Sequence, residues 1–149
     1  MAPALLAVLL VTAVGISWYS ITEDYPQSEP PVLVTGLPPE EYMSEIGFEN
    51  DVYLVDNRVF INAGYTLRDS CEYVKSIELT SPTDHSYPQD IVLVINIDSE
   101  GEICLMMLGG GAIMGEIKNL DPGEYNISAV EKRGSTLINI VKETRIVIE

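Results

Sequence analysis

Short runs of β-branched and aromatic residues, separated by turn residues, fill the chain from residue 51 to its end, and this pattern constrains the fold most. Two short strands flank a turn at Asp56 and Asn57, and residues 91–97 form a continuous apolar run typical of a central buried strand. A final hairpin has predicted arms at 125–130 and 136–148. Together with the runs between them and the candidate strand Val32–Thr35, these segments predict seven to nine strands.

Helical signals are few in this part of the chain. Val32–Thr35 is a further strand candidate, and residues 37–47 predict one or two helical turns, with prolines at the start and Gly47 at the end. Two packed sheets are the natural closure for so many short strands. We therefore expect residues 32–149 to form a mainly β head domain, an Ig-like β-sandwich.

The stretch 71–80 shows the period of two that marks a half-buried strand. Cys71, Tyr73, Ile77 and Leu79 alternate with acidic and serine residues. Because successive side chains of a strand point to opposite faces, we expect these four to share the core face.

An apolar segment precedes the head domain. Residues 2–19 are all apolar or small apart from Thr12 and Ser17. As a helix they span about 27 Å, just short of the roughly 30 Å hydrocarbon layer of a membrane. We expect a hydrophobic helix over residues 1–24 and a stiff, Pro-rich linker over 25–31.

The composition is strongly acidic. The chain has 23 Asp and Glu residues against 8 Lys and Arg residues, which gives a formal net charge of −15 at pH 7. Such a surface repels the phosphates of nucleic acids, so we exclude nucleic-acid binding. It favours solubility outside the cell, and no Asp-rich loop with a closing Glu predicts a calcium site.

Cys71 and Cys104 are the two cysteines of the chain, and we expect them to form a disulfide. No CxxC motif is present, and the single His85 cannot complete a Cys/His zinc site. In an exported domain, a bridge across a loop of this length stabilises by about 3 to 4 kcal/mol in the chain-entropy model. Both cysteines fall on strands predicted to flank the run 91–97, so the bridge ties two strands of one sheet or joins two sheets.

The glycine-rich stretch 109–115 does not fit a phosphate-binding loop. Met114 stands where the GxGxxG pattern needs glycine, and no helix follows. We expect a bulge or a flexible turn between two strands. Met106 and Met107 are neighbours in a predicted strand, so they face opposite sides, and we expect one of them to lie in the core.

The polar residues predict no catalytic, cofactor or metal site. His85 lies in a polar loop without a nearby nucleophile, and the serines lack a GxSxG context. Asn126 begins the glycosylation sequon Asn-Ile-Ser. If Tyr125 and Ile127 point inward, Asn126 points outward, as a glycan requires.

The stretch from Cys71 to Tyr125 resembles a recurring pattern of small exported β-sandwich domains. In that pattern one Cys begins a strand, a second Cys ends a later strand, and a Leu-x-Pro-Gly-x-Tyr corner follows. Leu120, Pro122, Gly123 and Tyr125 form the corner here. The resemblance implies an Ig-like sandwich with a disulfide and no particular activity.

The apolar segment resembles the mature N-terminus of archaeal type IV pilins. In that family a Pro near the third position precedes a Leu/Val/Ala-rich helix that ends in aromatic residues, and a β-sandwich head follows. The resemblance implies that the helices bundle in a filament core while acidic, often glycosylated heads face outward. The residues that it assigns to the assembly or membrane helix are Pro3, Leu5, Leu6, Val8, Leu9, Leu10, Val11, Val14, Ile16, Trp18 and Tyr19.

No lysine or arginine occurs before Arg58, and this favours one interpretation of the segment. A secretory signal peptide and a membrane anchor both carry basic flanks, whereas a mature pilin helix whose basic leader has been removed needs none. We therefore expect a non-enzymatic structural subunit of an extracellular, pilus-like filament. Its copies insert in the membrane before assembly and then join through the N-terminal helix into a homopolymer.

Two alternatives remain open. In the first, the chain is an Ig-like binding or accessory module of a cell-envelope complex, either anchored in the membrane or secreted. In the second, it polymerises by strand exchange, and Val32–Thr35 pairs with the sheet edge of a neighbouring copy.

Overall fold

A computed structural model describes residues 29–81 and 88–149. The predicted helix over 1–24, with all of its assembly residues, lies outside the described residues, as do most of the Pro-rich linker and the loop that contains His85. Within the two described ranges, no helix is long and apolar enough to cross a membrane.

The described residues are mainly β and form eight strands in two four-stranded sheets. One turn of 3-10 helix, Glu40–Tyr42, replaces the one or two helical turns expected over 37–47. The strands are β1 Val32–Thr35, β2 Asp51–Val55, β3 Arg58–Asp69, β4 Glu72–Thr80, β5 Gln89–Ser99, β6 Met106–Lys118, β7 Gly123–Arg133 and β8 Thr136–Ile148. The first sheet has the order β1-β6-β3-β2 and the second the order β4-β5-β7-β8.

The chain passes between the two sheets repeatedly, and this sets the strand directions. The segment 100–105 carries the chain from β5 in the second sheet to β6 in the first. The next strand, β7, returns to the second sheet and pairs with β5 in parallel, Ile91 opposite Ile127. The other strand pairs are antiparallel.

Strand alternation builds the core between the sheets. In β5, the isoleucines at 91 and 95 are fully buried, while Val92 and Val94 lie half-exposed on the outer face. The central apolar run is therefore buried on one face only. The residues of this core are Val52, Val59, Ile61, Ala63, Ile91, Leu93, Ile95, Ile97, Ile117, Tyr125, Ile127, Ala129, Val141, Ile146 and Ile148.

The turn at Asp56 and Asn57 follows the sequence expectation. Both residues have positive φ, 49° and 59°, as the tight two-residue hairpin turn between β2 and β3 requires. Asp and Asn tolerate this conformation better than other residues with a Cβ. The same local chemistry thus sets the register of the β2–β3 pair, Val55 opposite Arg58.

A second, smaller apolar cluster lies on the outer face of the first sheet. Ile46, Val55 and Phe60 form it, with Tyr42 packed against them. The Arg58 guanidinium lies 5.0 Å from the centre of the Tyr42 ring and makes two hydrogen bonds of 2.8 Å to the Glu116 carboxylate. The segment that follows β1 is therefore fixed to the sheet.

The alternation expected over 71–80 is wrong in its first half. Tyr73 is 40% exposed, whereas Val74 packs against the core together with Ile77 and Leu79. The cause is a register shift between Val74 and Ser76 in the β4–β5 pair. An extra residue at such a bulge reverses the faces of the side chains that precede it.

Candidate functional site

The disulfide lies at one end of the sandwich. Cys71 and Cys104 are bonded, with their Cα atoms 5.4 Å apart. Neither lies on a strand, contrary to the sequence expectation. Cys71 is in the turn from β3 to β4, and Cys104 is in the segment from β5 to β6. Both connections pass from one sheet to the other, so the bridge joins two crossovers.

An exposed apolar strip follows the disulfide along the chain. It consists of Ile103, Leu105, Met106, Met107 and Leu108. Met106 is 95% exposed, Met107 55% and Leu108 93%, so the expectation that one methionine lies in the core is wrong. Exposed apolar residues that are contiguous, rather than scattered, mark surfaces that bind other molecules.

This strip belongs to a part of the first sheet that is only two strands wide. β2 pairs with β3 only as far as Asn62, and β1 pairs with β6 only from Gly115 to Lys118. The remaining parts of β3 and β6, with Gly64 opposite Ala112 and Thr66 opposite Gly110, pair only with each other among the described strands. We call this part the β3–β6 extension.

The glycines at 109–111 lie inside the continuous strand β6, not in a turn between strands. A Cβ on Gly111 would come within 2.7 Å of the Tyr65 hydroxyl oxygen, so the Tyr65 side chain crosses the strand where no side chain opposes it. A Cβ on Gly110 would come within 2.2 Å of the Tyr65 carbonyl oxygen. The glycines thus allow close contact with β3. The expected bulge occurs in β6 just before the glycines, where the pairing shifts between Leu67 and Asp69 of β3.

The outer edge of β3 is capped by side chains. The backbone amide of Gly64 donates to Asn50 Oδ1, that of Thr66 to Glu131 Oε1 and that of Arg68 to Glu72 Oε2, each at 2.7 Å. These amides point away from β6, where a further strand would otherwise bind. Side-chain acceptors at successive edge positions leave no free donor for another strand.

A buried ion cluster holds two of these caps in place. The Arg133 guanidinium binds both Glu131 and Glu72 and also donates to the carbonyl of Thr66. Burial lowers the pKa of Arg133, but the hydrogen bonds that its guanidinium donates to the carboxylates of Glu131 and Glu72 outweigh this effect, so the pKa is raised and the charge is kept. Glu131 is only 4% exposed. The cluster links the first sheet to β4 and β7 of the second.

The outer edge of β6 has no comparable caps among the described residues. The amide of Gly36 donates to the carbonyl of Met114 at 2.9 Å and is the last contact along this edge. Because backbone groups alternate between the two sides of a strand, the amides and carbonyls of Ala112 and Gly110 point the same way as those of Met114. Among the residues that the structure describes, the β3–β6 extension therefore has one closed edge and one open edge.

Asn126 lies on the outer face of the second sheet. Tyr125 and Ile127 are buried, while Asn126 is half-exposed and donates a 3.0 Å hydrogen bond to Asp90. The Tyr125 hydroxyl donates to the carbonyl of Asp121 at 2.7 Å and so closes the Leu-x-Pro-Gly-x-Tyr corner. A glycan on Asn126 remains a prediction.

Two groups of polar side chains among the described residues have a structural explanation. A shallow depression of about 430 Å³ on the outer face of the second sheet contains Ser76, Glu78 and Asn96. Ser76 donates to Glu78, and Asn96 donates to both, so these side chains satisfy one another. The Asp69 carboxylate lies near the sulfurs of both cysteines, but the disulfide leaves no thiolate there to bind a metal ion.

No protein-family model, no curated protein and no solved structure matches this chain.

Proposed function

We propose that this chain is the structural subunit of an extracellular filament. The N-terminal apolar segments of many copies pack together as helices, and the acidic β heads face the solvent. The observation that carries the proposal is the joining of an uncharged apolar segment, residues 2–19, to a strongly acidic head. Such a segment must be withdrawn from water, either in a membrane or among copies of itself. Heads of like charge repel one another and remain solvated.

The head supports the finer parts of the proposal. Its two sheets and the hydrogen bond of Tyr125 at the corner are features of Ig-like sandwiches. A disulfide favours an oxidising location such as the cell surface. The parallel β5–β7 pair departs from the antiparallel Ig-like pattern. On this account the subunit is a non-enzymatic, pilin-like protein, and the membrane holds it before assembly.

The second candidate function is a membrane-anchored or secreted binding module of a cell-envelope complex. The exposed apolar strip favours it, because a partner protein or strand bound there would bury these side chains. Strand exchange through Val32–Thr35 is less favoured, since β1 pairs over its whole length with β6 of its own chain.

Two measurements test the filament proposal. Electron microscopy of the full chain after removal of detergent should show filaments, and chains that stay dispersed in water would contradict it. Mass spectrometry of the native protein should find residues 1–15 retained in the assembled form. Their loss would favour the secreted module.

A further inference from the structure

We propose that the open edge of β6 pairs with the same edge of a second copy of this chain. The two β6 strands run antiparallel about a two-fold axis and join two β3–β6 extensions into one continuous sheet. The proposal goes beyond the filament proposal, because it rests on described residues of the head alone.

The first argument is the contrast between the two edges of the β3–β6 extension. Asn50, Glu131 and Glu72 close the β3 edge, although two of these caps require buried or half-buried carboxylates. Burying a carboxylate costs free energy unless it is paired, and here Arg133 supplies the pair. On β6, the backbone groups of Gly110 and Ala112 have no such acceptor or donor among the described residues. An edge with unpaired groups is a template for another strand.

The second argument is charge. Residues 103–115 contain no charged side chain, in a chain whose net charge is −15. If most surfaces of this protein met the same surface of a second copy, carboxylates would come close together. Like charges directly opposite each other destabilise a strand pair. The β6 edge is a surface that two copies can share without this repulsion. A charged partner strand would find no opposite charge at this edge, whereas a second copy offers a matching apolar edge.

The third argument is shape and reach. The uncovered residues 106–113 extend over about 26 Å at 3.3 Å per residue, which is enough for several inter-strand hydrogen bonds. The glycines at 109–111 present no side chain, so the two backbones approach closely near the axis. Met106 and Leu108, which are almost fully exposed in the single chain, would become covered in the pair. An isologous contact of this kind closes on itself as a dimer.

The test compares the full chain in a mild detergent with two matched variants. Leu108→Lys puts a charge on the β6 edge, and Leu137→Lys puts the same charge on an exposed position of β8. Sedimentation velocity over a wide range of concentrations should show a reversible dimer for the wild type and for Leu137→Lys. Leu108→Lys should weaken dimerisation by about tenfold or more. Added salt should strengthen the wild-type dimer, because it screens the repulsion between acidic heads.

Residue-resolved amide hydrogen exchange on the same samples identifies the contact. The amides of Gly110 and Ala112 should become protected as the dimer forms, while the amide of Gly111, which faces β3, should be protected at every concentration. Equal effects of the two lysine variants, or a dimer in which Gly110 and Ala112 exchange freely, would overturn the proposal. Protection of these two amides in a monomer would also overturn it, since the edge would then be covered by the chain's own residues.

Discussion

The backbone amide of Thr66 donates a 2.7 Å hydrogen bond to the carboxylate of Glu131, 65 residues further along the chain. Thr66 belongs to the first sheet and Glu131 to the second. Their contact closes an edge of β3 with a buried acidic side chain, which is possible only because Arg133 neutralises that side chain. One contact therefore protects a strand edge and also joins the two sheets.

Removing the charge of Glu131 should destabilise the fold markedly. We expect Glu131→Gln to lower the free energy of unfolding by about 3 kcal/mol, because it breaks a buried ion pair and leaves Arg133 with Glu72 alone. Glu124→Gln on the same strand breaks the exposed pair with Arg145 and should cost less than about 1 kcal/mol. Urea unfolding of both variants measures the difference, and similar losses would show that the buried cluster has no special role.

The disulfide should contribute through the long loop that it closes. The bridged residues are 33 positions apart, and the double variant Cys71→Ala/Cys104→Ala should lose about 3 to 4 kcal/mol in the chain-entropy model. Thermal unfolding of the oxidised wild type, the reduced wild type and the double variant checks this. The reduced protein and the double variant should agree, and a bridge without effect on the melting temperature would contradict the estimate.

Glu116 should make stability fall at acidic pH. The hydrogen bonds from Arg58 lower the pKa of Glu116 below its ordinary value of 4.5. A carboxyl whose pKa is lower in the folded state stabilises the fold above the unfolded pKa, and this contribution disappears as the pH falls through the folded pKa. The difference in unfolding free energy between wild type and Glu116→Gln should be constant near neutral pH and shrink below pH 4.5. A difference that grows on acidification would reverse the sign of this argument.

Two glycines with nearly the same φ allow backbone strain to be measured apart from steric contact. Gly110 has φ +154° and Gly36 has φ +153°, but a Cβ on Gly110 would meet the Tyr65 carbonyl oxygen at 2.2 Å, whereas nothing lies within 4 Å of a Cβ on Gly36. Both alanine variants carry the backbone strain, roughly 1 to 3 kcal/mol. Gly110→Ala should cost at least about 1 kcal/mol more, because β3 and β6 must move apart. Equal losses on urea unfolding would show that the strand pair adapts without cost.

Local chemistry made part of the fold predictable from the sequence. β1 and the turn at Asp56 and Asn57 were placed correctly, and the eight strands found in 29–81 and 88–149 lie within the predicted seven to nine. These features depend on residues close together in the chain: β-branched runs, turn residues and strand alternation. The paths between the sheets depend on distant contacts, so the parallel β5–β7 pair was not foreseen. The disulfide was predicted, but its two cysteines were placed on strands and not in the two crossovers.

In the candidate site, too, the features set by nearby residues were easier to predict than those set by distant contacts. The sequence placed Met106 and Met107 in a strand but put one of them in the core, and it predicted a bulge or turn at the glycines that lie inside β6. Whether such a residue is buried depends on how far the opposite sheet extends. That extent cannot be predicted from the sequence. The caps by Asn50 and Glu131 carry no local signal either, since their partners lie 14 and 65 residues away. The run without charge at 103–115 was the available clue to an interaction surface.

Electron microscopy of detergent-free full chain, compared with Leu9→Lys, tests the filament proposal most directly. A lysine inside the apolar segment opposes its burial among neighbouring segments, whereas Leu137→Lys, on an exposed strand position, serves as the control. The account predicts filaments from the wild type and from Leu137→Lys, and dispersed or amorphous material from Leu9→Lys. Filaments of unchanged form from Leu9→Lys, or a wild type that remains monomeric in water, would contradict it.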